Sequence, residues 1–290
     1  MVDVSDHMKN IDFAELIALA GRFGIGKHYE SLSIDFVVNA MKKRLAEKQC
    51  MSADEYLMIL KNDPGEVLQL ADSLNNGFSE FFRNPLSFSA LEHIILPGLL
   101  KRLVTSGRRE IRIWSAACAA GHEVYSLAIL LHELQHQSSQ NFNWRIFASD
   151  ASQPLILEAT KGIYQETALQ KVTMKRFHTW FDRVGDNFEI KPALRKNIEF
   201  LVFDLFDKNY CYPPGSIYGD FDLVLCANIF FYYNQQAQKL FVGKLEKSLA
   251  KGGYIMTGES ERSIFRFHHF TEILPHAAIF RKGKKQFSSL

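Results

Sequence analysis

Apolar positions follow a helical spacing through residues 1–75 and change to short strand-like runs separated by helices further on. Phe13, Leu16, Ile17 and the segment Leu19 to Phe23 predict a first helix, closed near Gly24-Ile25-Gly26. Ser33-Ile34-Asp35-Phe36 opens a second, carried by Val37, Val38, Met41 and Leu45. Ser52 and Glu55 have capping-box spacing ahead of a third helix through Tyr56, Leu57, Ile59 and Leu60, which stops before Asn62-Asp63-Pro64-Gly65. A fourth covers Glu66 to Leu74, and an amphipathic helix runs from Phe88 to Leu103. Strands are predicted at Ile111–Trp114, Trp144–Asp150, Asn197–Asp204, Phe221–Asn228 and Tyr254–Glu259. Helices lie between them, notably 153–161 and 234–250, the latter stopped by Gly252-Gly253. Residues 276–290 are expected to close the fold as a hairpin of two short strands, and the alternation at Phe188-Glu189-Ile190 places a small β insertion within 171–197.

Strands alternating with helices predict an α/β fold, a doubly wound and mainly parallel Rossmann-like sheet, with an all-helical domain at 1–75 and the sheet domain at 76–290. Composition fits a soluble globule: 290 residues, 47% hydrophobic and 23% charged. A net charge of +2 gives no global attraction to nucleic acid or membrane, so any basic feature acts locally. Lys42, Lys43, Arg44 and Lys48 share the polar side of the second helix, as a solvated face or as a docking surface for an acidic partner helix. Cys50, Cys118, Cys211 and Cys226 lack metal-ligand spacing, which predicts reduced thiols in a cytoplasmic protein. No membrane span and no signal-peptide core are expected.

The candidate chemistry centres on Ile111 to Ser126, IRIWSAACAAGHEVYS. A strand breaks there into small residues and then a helix, which lets backbone approach a nucleotide-like ligand and offers unpaired helix N–H groups. Without a GxGxxG, the stretch by itself is equally an ordinary strand-to-helix turn. Asp150 ends the second strand, where an acid suits a ribose diol or a helix cap. Asn228 ends the fourth, ahead of the aromatic run Phe230 to Tyr233, and Arg83 follows a Phe-Phe pair and precedes Pro85. An arginine fixed there is a salt-bridge partner or a carboxylate ligand. His132-Glu133-Leu134-Gln135-His136 matches HExxH, but it stands at the polar end of a helix with no spaced third ligand, so zinc is not expected. Tyr212-Pro213-Pro214-Gly215 precedes its strand, the wrong place for an amino-methylation motif.

Taken in order, the basic helical N-terminal domain, NNGFSEFFRN, WSAACAAGHEVYS, FASD, Gly162-Ile163-Tyr164, FDLVLCANIFFYY and Gly258 to Glu261 resemble the chemotaxis receptor methyltransferases, the CheR family. The resemblance implies a class I methyltransferase fold, S-adenosyl-L-methionine as cofactor, and methyl transfer to glutamate side chains of receptor helices. It implies cofactor contacts at Ser79, Arg83, His122, Asp150, Asp204, Leu205, Ala227 and Asn228, with Arg83 and Tyr232 as catalytic groups. A methyl-accepting receptor or another acidic helical protein is the implied partner, met through Lys42, Lys43 and Arg44. Gly77 stands where the family has asparagine, His122 where it has the first glutamate of Gly-Glu-Glu-Pro-Tyr-Ser, and Ala227 where it has arginine. Those departures imply a second reading, a cofactor-binding regulatory module of weak or no activity that acts through a partner.

Overall fold

A computed structural model of the chain describes residues 28–74, 79–266 and 270–283. The helix expected around 13–23, Gly77 and the tail 284–290 lie outside the described residues. The chain divides into two compact units, 1–76 with 230–238, and 77–229 with 239–290.

In the first unit, α1 (Ile34–Glu47), α2 (Ala53–Asn62) and α3 (Pro64–Leu74) bury Met41, Leu45, Tyr56, Leu57, Leu60, Val67 and Leu70 among themselves. Ser52 Oγ caps α2 by accepting from Glu55 N at 3.2 Å. Asp63 Oδ1 accepts from Gly65 N at 2.8 Å and Glu66 N at 3.2 Å, so α2 and α3 meet at one residue instead of across the expected four-residue break. The segment 230–234 joins this unit through an antiparallel bridge, Leu32 to Tyr233, and through Ser33 N donating to Tyr232 O at 2.8 Å.

Arg44 corrects the expectation of a basic face. Its guanidinium turns inward to Glu66, which is 1% exposed, with Arg44 Nε to Oε1 at 2.8 Å and Nη2 to Oε2 at 2.5 Å. Lys48 Nζ stands 2.9 Å from Oε2, and Tyr56 OH donates to Oε1 at 2.9 Å. A carboxylate buried among helices needs such partners, so the burial of Glu66 in α3 decides where Arg44 of α1 points. Lys43 stays exposed and Lys42 is half-buried. Burial alone would push the Glu66 carboxyl up, but the bonds from Arg44, Lys48 and Tyr56 win and hold it at about 2. A depressed acid stabilises the fold above its unfolded value near 4.5, and that stability drains as pH falls toward 2. Glu66→Ala therefore destabilises this unit by about 3–5 kcal/mol at neutral pH, because Arg44 is left without its buried partner. Urea titrations at pH 7 and pH 3 check this, the gap between wild type and variant narrowing at the lower pH.

The second unit carries the sheet. Its strands are β1 (Glu110–Ala116), β2 (Asn143–Asp150), β3 (Ile163–Gln165), β4 (Phe181–Val184), β5 (Asn187–Ile190), β6 (Ile198–Val202), β7 (Phe221–Leu225), β8 (Leu249–Met256), β9 (Phe270–Glu272) and β10 (Ile279–Lys282). Seven form one sheet in the order β6-β2-β1-β7-β8-β10-β9, and β3-β5-β4 form a separate small sheet. Neighbours from β6 to β8 are parallel, while β10 runs antiparallel to β8 and β9. This is the Rossmann-like class I methyltransferase arrangement. Order reverses at β1, so the crevice beyond the carboxyl ends of β1 and β7 is the switch point, where ligands bind in such sheets.

Several local expectations shift. The helical stretch 85–105 is continuous but holds a wider π turn at Leu91–Ile95, where Leu96 N bonds to Leu91 O just ahead of Pro97, which has no N–H to give. The Gly252-Gly253 pair is a bulge inside β8 and no helix stop: pairing slips between Phe221 and Leu223, and a Cβ on Gly253 would meet Phe221 O at 2.8 Å. The closing hairpin uses β9 ahead of 276 with β10, because the chain turns at Leu274–Ala278 with His276 and Ala278 left-handed. The β insertion reaches back to Ile163, a strand too short to show alternation.

Candidate active site

The site grows from the end of β1. Ala117, Ala119 and Gly121 take φ of 54°, 46° and 85° before the helix His122–Gln137 begins. Left-handed alanines are disfavoured by about 1–2 kcal/mol each, so other groups must impose this path. Cys118 N donates to Ser149 O and Ala119 N to Asp150 Oδ2, both at 2.9 Å. Tyr164 OH donates to Ala120 O at 2.7 Å. At Gly121 a Cβ would stand 2.9 Å from Ala159 Cβ, so no larger residue fits. The result is a bare backbone shelf at the switch point.

Asp150 does double duty. Its Oδ1 accepts from the N–H of Ser152 at 2.9 Å, fixing the residue whose own hydroxyl caps the helix Gln153–Lys161, while Oδ2 holds the shelf. Burial pushes its carboxyl up, and the backbone donors of Ser152, Ala119 and Ala151 pull it back. An ionised carboxylate has about four acceptor positions, so about one remains for a ribose hydroxyl beside these three donors. The charge of Asp204 also raises Asp150, which brings the two acids into electrostatic reach. Asp204 Oδ1 accepts from Phe206 N at 2.8 Å, and Leu205 is buried beside it. Beyond β7, Ala227 and Asn228 are half-buried, Asn228 at φ 60°, and its Oδ1 is buried with no hydrogen-bond partner among the described residues.

Arg83 is delivered by an unusual turn. Phe82 is left-handed at φ 51°, an outlier for a bulky side chain. Its N–H donates to Ser126 Oγ at 3.0 Å, and its ring lies between Phe88 and the Arg176 guanidinium, 5.1 Å from the latter. Ser79 is half-buried upstream. Tyr232 belongs to the first unit, where its ring meets Phe36 edge-on at 4.6 Å.

His122 and Glu123, adjacent at the start of the helix, sit in different surroundings. The His122 ring packs into the core against Tyr164 at 4.6 Å and Phe81 at 5.2 Å, and burial lowers its pKa to about 4, so it is neutral at pH 7. Glu123, next along the helix, has Oε1 buried without a partner among the described residues. Burial raises its pKa to about 7, against the pull of the Arg83 charge and with help from Glu261. Such a group weakens the fold as pH rises from its ordinary value through 7. Glu123→Gln accordingly melts with wild type at pH 5 and above it at pH 8, which thermal scans at the two pH values check.

Glu261 is 1% exposed, and the sequence singles it out only as the last residue of Gly258-Glu259-Ser260-Glu261, one segment of the resemblance. The HExxH residues serve packing: His132 lies against Trp180, and Glu133 pairs with Arg176 at 2.7 Å. Among the described residues no cluster of His, Cys, Asp and Glu could hold a metal ion, and no helix is long and apolar enough to cross a membrane.

The small-residue shelf, the Asp150 carboxylate, and the unpartnered acceptors of Asn228 and Glu123 fit a ligand with a ribose diol and a charged amine. Comparison with known proteins agrees. Residues 77–276 match the family described as CheR methyltransferase, SAM binding domain. A chemotaxis protein methyltransferase of Listeria monocytogenes is 31% identical over 226 residues, covering 77% of this chain and 80% of that one. One from Borreliella burgdorferi is 30% identical over 210 residues, covering 71% and 72%. Chemotaxis protein methyltransferase 1 of Pseudomonas aeruginosa is 28% identical over 232 residues, covering 78% and 81%. The chain is a member of the CheR methyltransferase family, whose cofactor is S-adenosylmethionine.

Proposed function

We propose that this chain methylates glutamate side chains of chemotaxis receptors. The observation that carries the reading is the set of ligand acceptors, Asp150, Asn228 and Glu123, gathered around a side-chain-poor shelf at the carboxyl ends of β1, β2 and β7 in a SAM-binding family. The relatives named above are chemotaxis methyltransferases, which supports a receptor as substrate.

S-adenosylmethionine supplies an electrophilic methyl group on a sulfonium. The nucleophile needs no base, because a glutamate carboxylate with an ordinary pKa of about 4.3 is ionised at pH 7. One of its oxygens forms the new bond to carbon as the carbon–sulfur bond breaks, and the electron pair stays on sulfur. The chain's residues therefore position and desolvate. Asp150 takes the ribose hydroxyls, with Asp204 and Leu205 beside it; Asn228 and Glu123 take donors of the amino-acid end. Arg83 clamps the incoming carboxylate, and the family resemblance gives Tyr232 of the first unit the part of a hydrogen-bonding orienter. Lys42 and Lys43 serve docking to an acidic helical receptor, without Arg44, which Glu66 withdraws from the surface. The reading implies a cytoplasmic protein.

The test is transfer of labelled methyl from S-adenosylmethionine to receptor-bearing membranes, read as base-labile methyl ester. Ester formation that requires the chain is the expected result. Binding of S-adenosylhomocysteine with no ester on any glutamate would favour a regulatory module instead.

A further inference from the structure

Two buried carboxylates tie down opposite ends of β7. Asp222, 2% exposed, anchors its start through Arg102 Nη2 at 2.9 Å, both terminal nitrogens of Arg108, and Arg112 N at 3.0 Å. Glu261 anchors the other end. Its Oε2 alone accepts three hydrogen bonds, each of 2.9 Å, from Thr257 Oγ1, Gly258 N and Asn228 N.

The donors come from two neighbouring strands' ends. Thr257 and Gly258 follow β8, and Asn228 follows β7, so the carboxylate bridges the tips of both. Gly258 makes the approach possible, since a Cβ there would lie 2.8 Å from both Glu261 Oε2 and Asn228 Nδ2. Asn228 holds a left-handed backbone that asparagine tolerates without preferring. Its N–H is spent on Glu261, while its side-chain Oδ1 is left buried and unpartnered among the described residues. Burial raises Glu123 and the thiol of Cys226, and the nearby Glu261 charge adds to both. A charge buried here only to fill space would be a poor solution, because an apolar side chain does that without desolvation.

We propose that Glu261 is a positioning residue for methyl transfer: by holding Asn228 N–H, it fixes the left-handed turn that aims the Asn228 carboxamide at the cofactor. The inference rests on the cofactor site described above, and it concerns a residue that is 1% exposed and whose Oε2 bonds the protein's own backbone and Thr257.

The experiment is calorimetry with S-adenosylhomocysteine on the full chain, with thermal melting of the same samples. Wild type binds. Glu261→Ala weakens binding at least about tenfold at a temperature where it is folded, since it loses a charge-assisted bond to Asn228 N. Glu261→Gln, which still offers an oxygen to the same donors, recovers most of the affinity. Asp222→Asn lowers the melting temperature with affinity within about twofold, because it acts at the far end of the strand. Glu261→Ala that binds as wild type overturns the proposal, as does an Asp222→Asn that weakens binding equally. If Glu261→Ala does not fold, Glu261→Asp decides: it keeps the charge but withdraws the oxygens from Asn228, and wild-type affinity in that variant overturns the proposal. Failure of the wild-type chain itself to bind removes the cofactor site and is told apart at once.

Discussion

Arg83→Ala abolishes most methyl transfer, with kcat/KM down about 10²- to 10³-fold, while the chain stays folded and S-adenosylhomocysteine affinity falls by no more than about tenfold. The magnitude follows from what the guanidinium does. A receptor carboxylate entering the site loses water, and a charged clamp worth about 2–5 kcal/mol offsets that loss while holding one oxygen in line with the methyl. Phe82 and Ser126 fix the turn that presents Arg83, so the variant removes the charge and leaves the scaffold. A second signature separates this from a folding defect. Burial holds the Glu123 pKa at about 7 against the pull of the Arg83 charge, so removing that charge moves it up. Methyl-ester assays and titration of Glu123 in wild type and variant check both; unchanged kcat/KM would remove Arg83 from the chemistry.

Asp150→Ala acts one step earlier, on the cofactor. It removes an ionised acceptor for the ribose, where each charge-assisted hydrogen bond is worth about 1.5–3 kcal/mol. It also frees Ala119 N, one of the bonds that force the alanine shelf into its left-handed path. The expected result is a rise in the S-adenosylhomocysteine Kd of about 10²- to 10³-fold. Asp150→Asn is milder, since the amide oxygen can serve either Ala119 N or the ligand. Calorimetry on the two variants checks the order, and equal affinity of wild type and Asp150→Ala would refute the assignment.

What the sequence disclosed is what local order encodes. The strand expected at Ile111–Trp114, its small-residue turn and the following helix are contiguous, so local pattern alone marks them, although β1 itself runs Glu110–Ala116. Asp150 and Asn228 end runs whose periodicity marks them as strands, which puts both at the carboxyl edge of the sheet. The rest depends on partners far along the chain. Arg44 reads as a surface cation until Glu66, buried in another helix, is seen to claim it. The packing of His122 against Tyr164 and Phe81 has no trace in its neighbours along the chain. Gly252-Gly253 reads as a helix stop because a bulge is visible only against β7. Glu261 bonds a backbone N–H 33 residues earlier, a relation with no signature in spacing.

The two carboxylates on β7 have a consequence for motion. Sliding that strand by one residue would strand Asp222 from its arginines and Asn228 from Glu261 together, so neither end can yield first. Amide protons of Leu223 to Leu225, all buried, should exchange only when the whole domain opens. Breathing that admits cofactor then belongs to the loops above the sheet, over a floor that stays still.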